Sequence, residues 1–339
     1  MPNYLLKLDN SIFDKGSWTI GEAPEGLDAM VLEELTATAT GTILFLAHNE
    51  TRLDEMSQTI SFFAPDIQTL QFPPWDCLPY DRISPNREIL AKRLDVLGNL
   101  VTNDTSTTKV ILTTIGAAIQ RVPDRKTIES AQLNINKGNH LDRASLLNFL
   151  ANYGYFSSAT VREPGEFAAR GSLIDLFVPN ASHPVRLDFF GDIVDSIRSF
   201  DPLSQRSKET LDQLVVGPAN EIIFDDDSIA RFRAKYTSLF GVPKEDPLYE
   251  AVCSRKHHIG MEHWLPLFHE TMESIFDYLP DALVVRDHHA QTSCDNYFKL
   301  IADNFDARDT DMANPKTHAP YNPLPKDELY LGWNHPRVR

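Results

Sequence analysis

Cysteine is scarce in this chain: there are three in 339 residues, Cys77, Cys253 and Cys294, far apart and odd in number. That argues against a disulfide framework and for a reducing compartment, the cytoplasm. Long apolar runs are missing as well. No stretch approaches the roughly 18 uninterrupted apolar residues that a membrane span needs. The opening MPNYLLKLDNSIFDKG has no basic start, apolar block and small-residue cleavage site, so a secretory leader is not expected. Basic charge is the third deficiency. Lys and Arg number 32 against 48 Asp and Glu, a net of −16, and basic residues gather only in loose sets such as Arg121, Arg125 and Lys126. Proteins that grip the DNA backbone present many cations, because each phosphate contact releases a counterion. A chain this acidic is not expected to hold DNA on its own.

The remainder is that of an ordinary globular protein, with 42% hydrophobic and 24% charged residues and enough length for two or three cores. The first segment alternates helix and strand patterns. Leu27 to Leu35 reads as a helix, Ile43 to Ala47 as a strand, Arg52 to Phe63 as a helix, and Ile67 to Leu70 as a strand. Ile89 to Leu100 reads as a helix and Val110 to Thr113 as another buried strand, so a parallel sheet is expected. Between them, prolines punctuate Phe72 to Pro85 as loop. From about residue 125 the texture changes. A helix over Leu141 to Asn152, stopped near Gly154, leads into the strands Ser172 to Val178, Val185 to Phe190 and Ile193 to Phe200. The gap Gly191-Asp192 predicts a two-residue hairpin turn of type II′. The expected architecture is α/β: a parallel-sheet domain over 1–124, an inserted α+β unit over 125–216, and a mainly helical part over 217–339. That last part contributes one buried strand, Ala282 to Val285, and ends in a Pro-, Asn- and His-rich tail from Asp311.

The string Thr19 to Ala29 is the most informative. A phosphate-binding loop requires GxxxxGK[ST] before a helix: glycines so that amides converge on phosphate, a lysine for its charge, a hydroxyl for magnesium. Gly21 and Gly26 hold the glycine positions, but Leu27 stands for the lysine and Asp28 for the hydroxyl. An aspartate there repels a triphosphate, and Pro24 removes an amide donor. Two glycines at this spacing also arise by chance. The far end adds weight, since a magnesium-orienting acidic pair should follow a buried strand, and after Ala282 to Val285 stand Arg286 and Asp287. The first acid has become a cation. The outline is that of a nucleotide-driven helicase frame without nucleotide chemistry.

In the strand Val185 to Phe190, period two sends Val185, Leu187 and Phe189 to one face and Arg186, Asp188 and Phe190 to the other. Arginine with an exposed aromatic is the composition of an interface anchor. The pattern alone leaves a second possibility open, in which Phe190 packs under a neighbouring loop and Arg186 bridges Asp188 or Asp175 on a solvated surface. Residues 155–208 carry six basic and seven acidic side chains, close to balance in a chain whose net charge is −16. The histidine pairs His257-His258 and His288-His289 lack zinc-ligand spacing, and no metal or other cofactor is expected. Trp75 is expected to cap the domain core.

Four strings together, WDCLPYDRISPN (Trp75 to Asn86), GEFAARGSLIDLF (Gly165 to Phe177), RLDFFGDIVDSIRSFDPLSQRS (Arg186 to Ser207) and GMEHWLPLF (Gly260 to Phe268), resemble the amino-terminal portion of the bacterial transcription-repair coupling factors, the Mfd family. That portion is itself similar to the repair helicase UvrB, and the resemblance covers nearly the whole chain. It implies a degenerate RecA/P-loop helicase-like domain 1A, an inserted domain 2 that docks UvrA, and a smaller domain 1B. The family's UvrA-contacting residues fall on Arg170, Arg186 and Phe190. The resemblance places RNA polymerase and DNA contacts in regions absent here. It also implies that the C-terminal domains of the full-length protein cover the same face of domain 2. UvrB's DNA-clamping hairpin has no room between Tyr80 and Arg93. An active ATP-dependent helicase of the UvrB type is the alternative, which Leu27 and Asp28 oppose.

Overall fold

The apolar strands Ile43–Ala47 (β1) and Lys109–Thr114 (β3) are buried along their whole length, because helices cover both faces of the sheet they form. A computed structural model of the chain describes residues 16–21, 24, 26–38, 41–101, 109–179, 181–243, 245–313 and 321–337; the amino-terminal string read for a leader, but for its last residue Gly16, and the final Val338-Arg339 lie outside these. In this body, α1 (Leu27–Thr38), β1, α2 (Glu50–Phe63), β2 (Gln68–Phe72), α3 (Arg87–Val101), β3 and α4 (Ile115–Ile119) follow in order. Next come the short β4 (Val122–Pro123) and α5 (Arg125–Ser130). The sheet is parallel, in the order β14-β1-β3-β2, where β14 is Leu283–Arg286. Ile43, Phe45, Ala47, Val110 and Leu112 point to one face, against Leu32, Leu35, Met56 and Ile60 of α1 and α2. Leu44, Leu46 and Ile111 point to the other, into a larger core with α3 and α4. Trp75 is buried in that larger core, in keeping with the expectation that it caps the domain core.

The insert runs through β5 (Leu133–Asn136), α6 (Arg143–Asn152), β6 (Phe156–Ser157), β7 (Glu166–Arg170), β8 (Leu173–Leu176), β9 (Val185–Phe190), β10 (Ile193–Phe200), β11 (Ser207–Leu211) and β12 (Gln213–Val216). Six of these strands form one sheet in the order β11-β10-β9-β8-β7-β6, antiparallel except at the β6–β7 edge. The hairpin between β9 and β10 turns on Gly191 at φ 62 while Asp192 keeps a negative φ, the type II′ pattern. Leu187, Phe189, Ile174 and Phe167 face α6 and a core that runs from Ile135 to Ala219. Ile128 of α5, by contrast, packs into the body's core. The insert is fastened where it leaves the body. The Ala219 N–H donates to the Tyr153 carbonyl at 2.8 Å and the Arg87 guanidinium lies 3.9 Å over the Phe156 ring.

After the insert come α7 (Asp226–Phe240), α8 (Pro247–Cys253), a 3-10 turn at Met261–Trp264, α9 (Leu265–Phe268), β13 (Met272–Glu273), α10 (Ile275–Tyr278), β14, α11 (Ala290–Ala313) and α12 (Lys326–Leu329). Their buried side chains share one core with α3 and the sheet. One expectation is corrected here. The strand near 282–285 is not buried but half-exposed, because β14 is an edge strand with one neighbour. The segment beyond it holds a 24-residue helix, α11, and in the tail after residue 320 Tyr321, Leu324 and Leu329 to Leu331 are buried in the body's core.

Candidate functional sites

Two places gather the residues that the sequence singles out. The first lies at the carboxyl ends of β1 and β14, where a parallel sheet ordinarily binds its ligand. Gly26 enters α1 at φ 89, a conformation that favours glycine. The amides that would face a phosphate are already engaged: the Leu27 N–H donates to the Pro24 carbonyl at 3.1 Å, and the Ala29 N–H to Asp28 Oδ1 at 2.9 Å. Gly21 is exposed and shares no contact with Gly26 or Asp28 among the interactions described.

Asp28 and Asp287 come together through a residue that sequence patterns pass over. Arg52, one turn into α2, donates from Nη2 to Asp28 Oδ2, and its Nε lies 3.5 Å from Asp287 Oδ2. His48, at the end of β1, bonds the same Asp287 oxygen through Nδ1. The His288 amide and Nδ1 donate to the other oxygen at 2.9 and 2.8 Å. Burial alone would raise the Asp287 carboxyl, but the His48 and His288 hydrogen bonds and the Arg52 charge outweigh it and hold it below the usual carboxylate range. Arg286 is exposed, and its Nη2 donates to the Arg337 carbonyl at 3.4 Å. Among the described residues no group of three or more His, Cys, Asp and Glu could hold a metal ion.

The second place is the outer face of the insert's sheet. Alternation along β9 buries Val185, Leu187 and Phe189 and turns Arg186, Asp188 and Phe190 outward, as the pattern predicts. Strand register then sets their neighbours. Arg186 stands between Asp175 on β8 and Arg198 on β10, while Asp188 pairs with Leu173, itself opposite Arg170 on β7. Phe190 sits opposite Ile193 beside the hairpin turn. It is 80% exposed and so does not pack under a loop.

Arg186 is held. Its Nε and Nη2 donate to the two oxygens of Asp175 at 2.7 and 2.8 Å, a fork-to-fork pair, and its Cζ lies 4.8 Å over the Phe200 ring. The Asp175 hydrogen bonds raise the Arg186 guanidinium pKa further, so the charge is permanent. Of the two partners the sequence left open, Asp175 is the one used, and Asp188 faces Arg198 instead at 3.5 Å. A small cluster of Val161, Ala168, Phe177 and Phe200 underlies this pair on the same face. Arg170 shares the face, its Nη2 bonding the Ala159 carbonyl and Thr160 Oγ1, the latter at 3.0 Å. Arg170, Arg186 and Phe190 therefore occupy one surface, with Phe190 roughly 13 Å along the strand from Arg186 at about 3.3 Å per residue.

Comparison with known proteins agrees with this division. Residues 133–222 match the family described as the UvrB interaction domain. The transcription-repair-coupling factor of Escherichia coli K12 is 32% identical over 325 residues, 94% of this chain and 28% of its own length. That of Haemophilus influenzae is 31% identical over 87% of this chain and 26% of its own. That of Bacillus subtilis is 27% identical over 76% of this chain and 24% of its own. The chain thus spans about a quarter of the length of the relatives it matches. Over most of its length this protein is homologous to the UvrB-like amino-terminal region of the transcription-repair-coupling factors.

Proposed function

We propose that this chain is a non-catalytic module of a transcription-repair coupling factor that recruits UvrA through its insert, domain 2, in transcription-coupled nucleotide excision repair. One observation carries the proposal: an aromatic left 80% exposed, Phe190, shares a sheet face with an arginine already fixed in orientation, Arg186. Ordered arginines and exposed aromatics supply most binding hot spots, because little conformational entropy is left to lose when they are covered. Arg170 completes the surface. Domains 1A (1–124) and 1B (217–339) form the degenerate helicase-like frame that carries it. Leu27, Asp28 and the engaged Asp287 speak against ATP turnover: no lysine meets the phosphates, and both carboxylates already share Arg52. RNA polymerase and DNA would be reached through regions of the full-length protein beyond this chain. Its C-terminal domains would cover the domain 2 face until UvrA is needed.

The test is a calorimetric titration of UvrA against the wild-type chain and Phe190→Ala. A hot-spot loss of about 2 kcal/mol weakens binding on the order of 30-fold. Unchanged affinity in Phe190→Ala, Arg170→Ala and Arg186→Ala alike would remove the proposed surface, and ATP hydrolysis by this chain would favour the helicase alternative. In the full-length protein, Arg186→Glu should release motor activity without UvrA; motor activity that stays UvrA-dependent would refute the masking.

A further inference from the structure

We infer that Asp175 is a positioning residue for the docking surface: it holds Arg186, seated over the Phe200 ring, in the one orientation that presents the outer edge of the guanidinium to the partner. The inference rests on the proposed docking role of that face. Asp175 is 4% exposed, yet it lies on the outer side of the sheet, where its strand neighbours Ala168 and Arg186 also point. A carboxylate in that position touches no partner directly. Its two oxygens take Nε and Nη2 of Arg186 at 2.7 and 2.8 Å, which fixes the plane of the guanidinium. The Phe200 ring, fully buried and 4.8 Å away, closes the inner side.

This has a chemical consequence. With the Nε/Nη2 edge taken, the donors left for a partner are on Nη1 and the second hydrogen of Nη2, so the partner must approach end-on with an acceptor, a carboxylate or a carbonyl. The pair is also close to neutral as a unit. Arg186 therefore contributes directed hydrogen bonds more than long-range attraction, and a lysine in its place would supply neither the fork nor the plane. Arg198 makes the contrast on the same face. It meets Asp188 through a single contact at 3.5 Å with both side chains about a third exposed, so its head group is not fixed in this way.

The experiment is a double-mutant cycle on UvrA affinity with the full chain, using Asp175→Asn, Phe200→Leu and Arg186→Ala, with circular dichroism and urea unfolding of each variant alongside. Asp175→Asn and Phe200→Leu should each weaken UvrA binding about tenfold in the wild-type background and not at all in the Arg186→Ala background, because both act through Arg186. A loss of full size in the Arg186→Ala background would make their role one of general stability and overturn the inference. So would unchanged affinity in both single variants. A second readout needs no UvrA: the Arg186 Nε–H nuclear magnetic resonance signal should be protected from water exchange in the wild type and unprotected in Asp175→Asn, and equal exchange in the two would also refute the claim. If Arg186→Ala and Phe190→Ala themselves bind UvrA as the wild type does, it is the docking proposal that fails, a result distinguishable from either outcome of the cycle.

Discussion

Replacing Arg93 with methionine removes the cation that faces Glu221 in the interior of the body. Both side chains are fully buried, Arg93 Nε donates to Glu221 Oε1 at 2.5 Å, and Nη1 donates to the Pro73 carbonyl at 2.9 Å. The guanidinium also lies 4.3 Å over the Phe72 ring. Glu221 stands just beyond β12, where the chain leaves the insert, so the pair pins that exit to α3. Taking away one member of a buried ion pair leaves the other uncompensated, at a cost of about 3–5 kcal/mol. Glu221→Leu should cost a similar amount, by stranding the arginine. Replacing both, Arg93→Met with Glu221→Leu, removes the charges together and should cost less than either single change, because apolar side chains of similar volume substitute well for a buried pair. Urea unfolding followed by tryptophan fluorescence is the assay. All four tryptophans, Trp18, Trp75, Trp264 and Trp333, lie outside the insert, so the signal reports on the body. A double variant that loses the sum of the two single losses would refute the reasoning, as would single losses below about 1 kcal/mol.

Two further expectations concern the body. Restoring the loop with Leu27→Lys and Asp28→Thr should not create ATP binding, measured with a fluorescent ATP analogue, because the residue 27 amide stays on the Pro24 carbonyl and Asp287 stays engaged by His48, His288 and Arg52; saturable binding by the double variant would contradict this. The second concerns acid. Burial lowers His263 and His269 to about 4, and His269 Nε2 donates to the Glu221 carbonyl at 2.8 Å. Both are neutral in the fold, whereas in the unfolded chain a histidine takes up its proton near 6.5. Their stabilisation is thus complete above pH 6.5 and is lost as pH falls toward 4, by about 2 kcal/mol each at pH 5. Urea midpoints should fall less steeply between pH 7 and 5 in His269→Gln than in the wild type; parallel slopes would exclude the mechanism.

How much of this was legible in the sequence follows from the range over which each feature is decided. β1, β3, β9 and β10 show themselves locally, by apolar runs or alternation; the bounds of β1, β9 and β10 fall where the pattern predicts, and β3 extends one residue further at each end. The outward face of β9 follows from the same alternation. Arg186's partner does not, because Asp175 and Asp188 are both within reach until strand register places Asp175 beside it. An apolar run such as Leu283 to Val285 says strand, but not whether the strand is central or at an edge. α11 escapes notice because its apolar residues are sparse among Asp, Asn and Thr, and the tail because Tyr321, Leu324 and Leu329 are islands between prolines that only tertiary packing brings together. Arg52 and Arg93 illustrate the limit. Their partners Asp287 and Glu221 lie far along the chain, and no local pattern links them.

The most direct test of the account uses two phenylalanines as mutual controls. Phe190 on the insert is 80% exposed, and Phe62 on α2, next to the Phe63 that lies near Gly26, is 79% exposed. Hydroxyl-radical footprinting should therefore oxidise both readily in the free chain. On adding UvrA, the account predicts that oxidation of Phe190 falls while that of Phe62 stays the same. Protection of Phe62 with Phe190 unchanged would place the partner on the parallel-sheet body and contradict it.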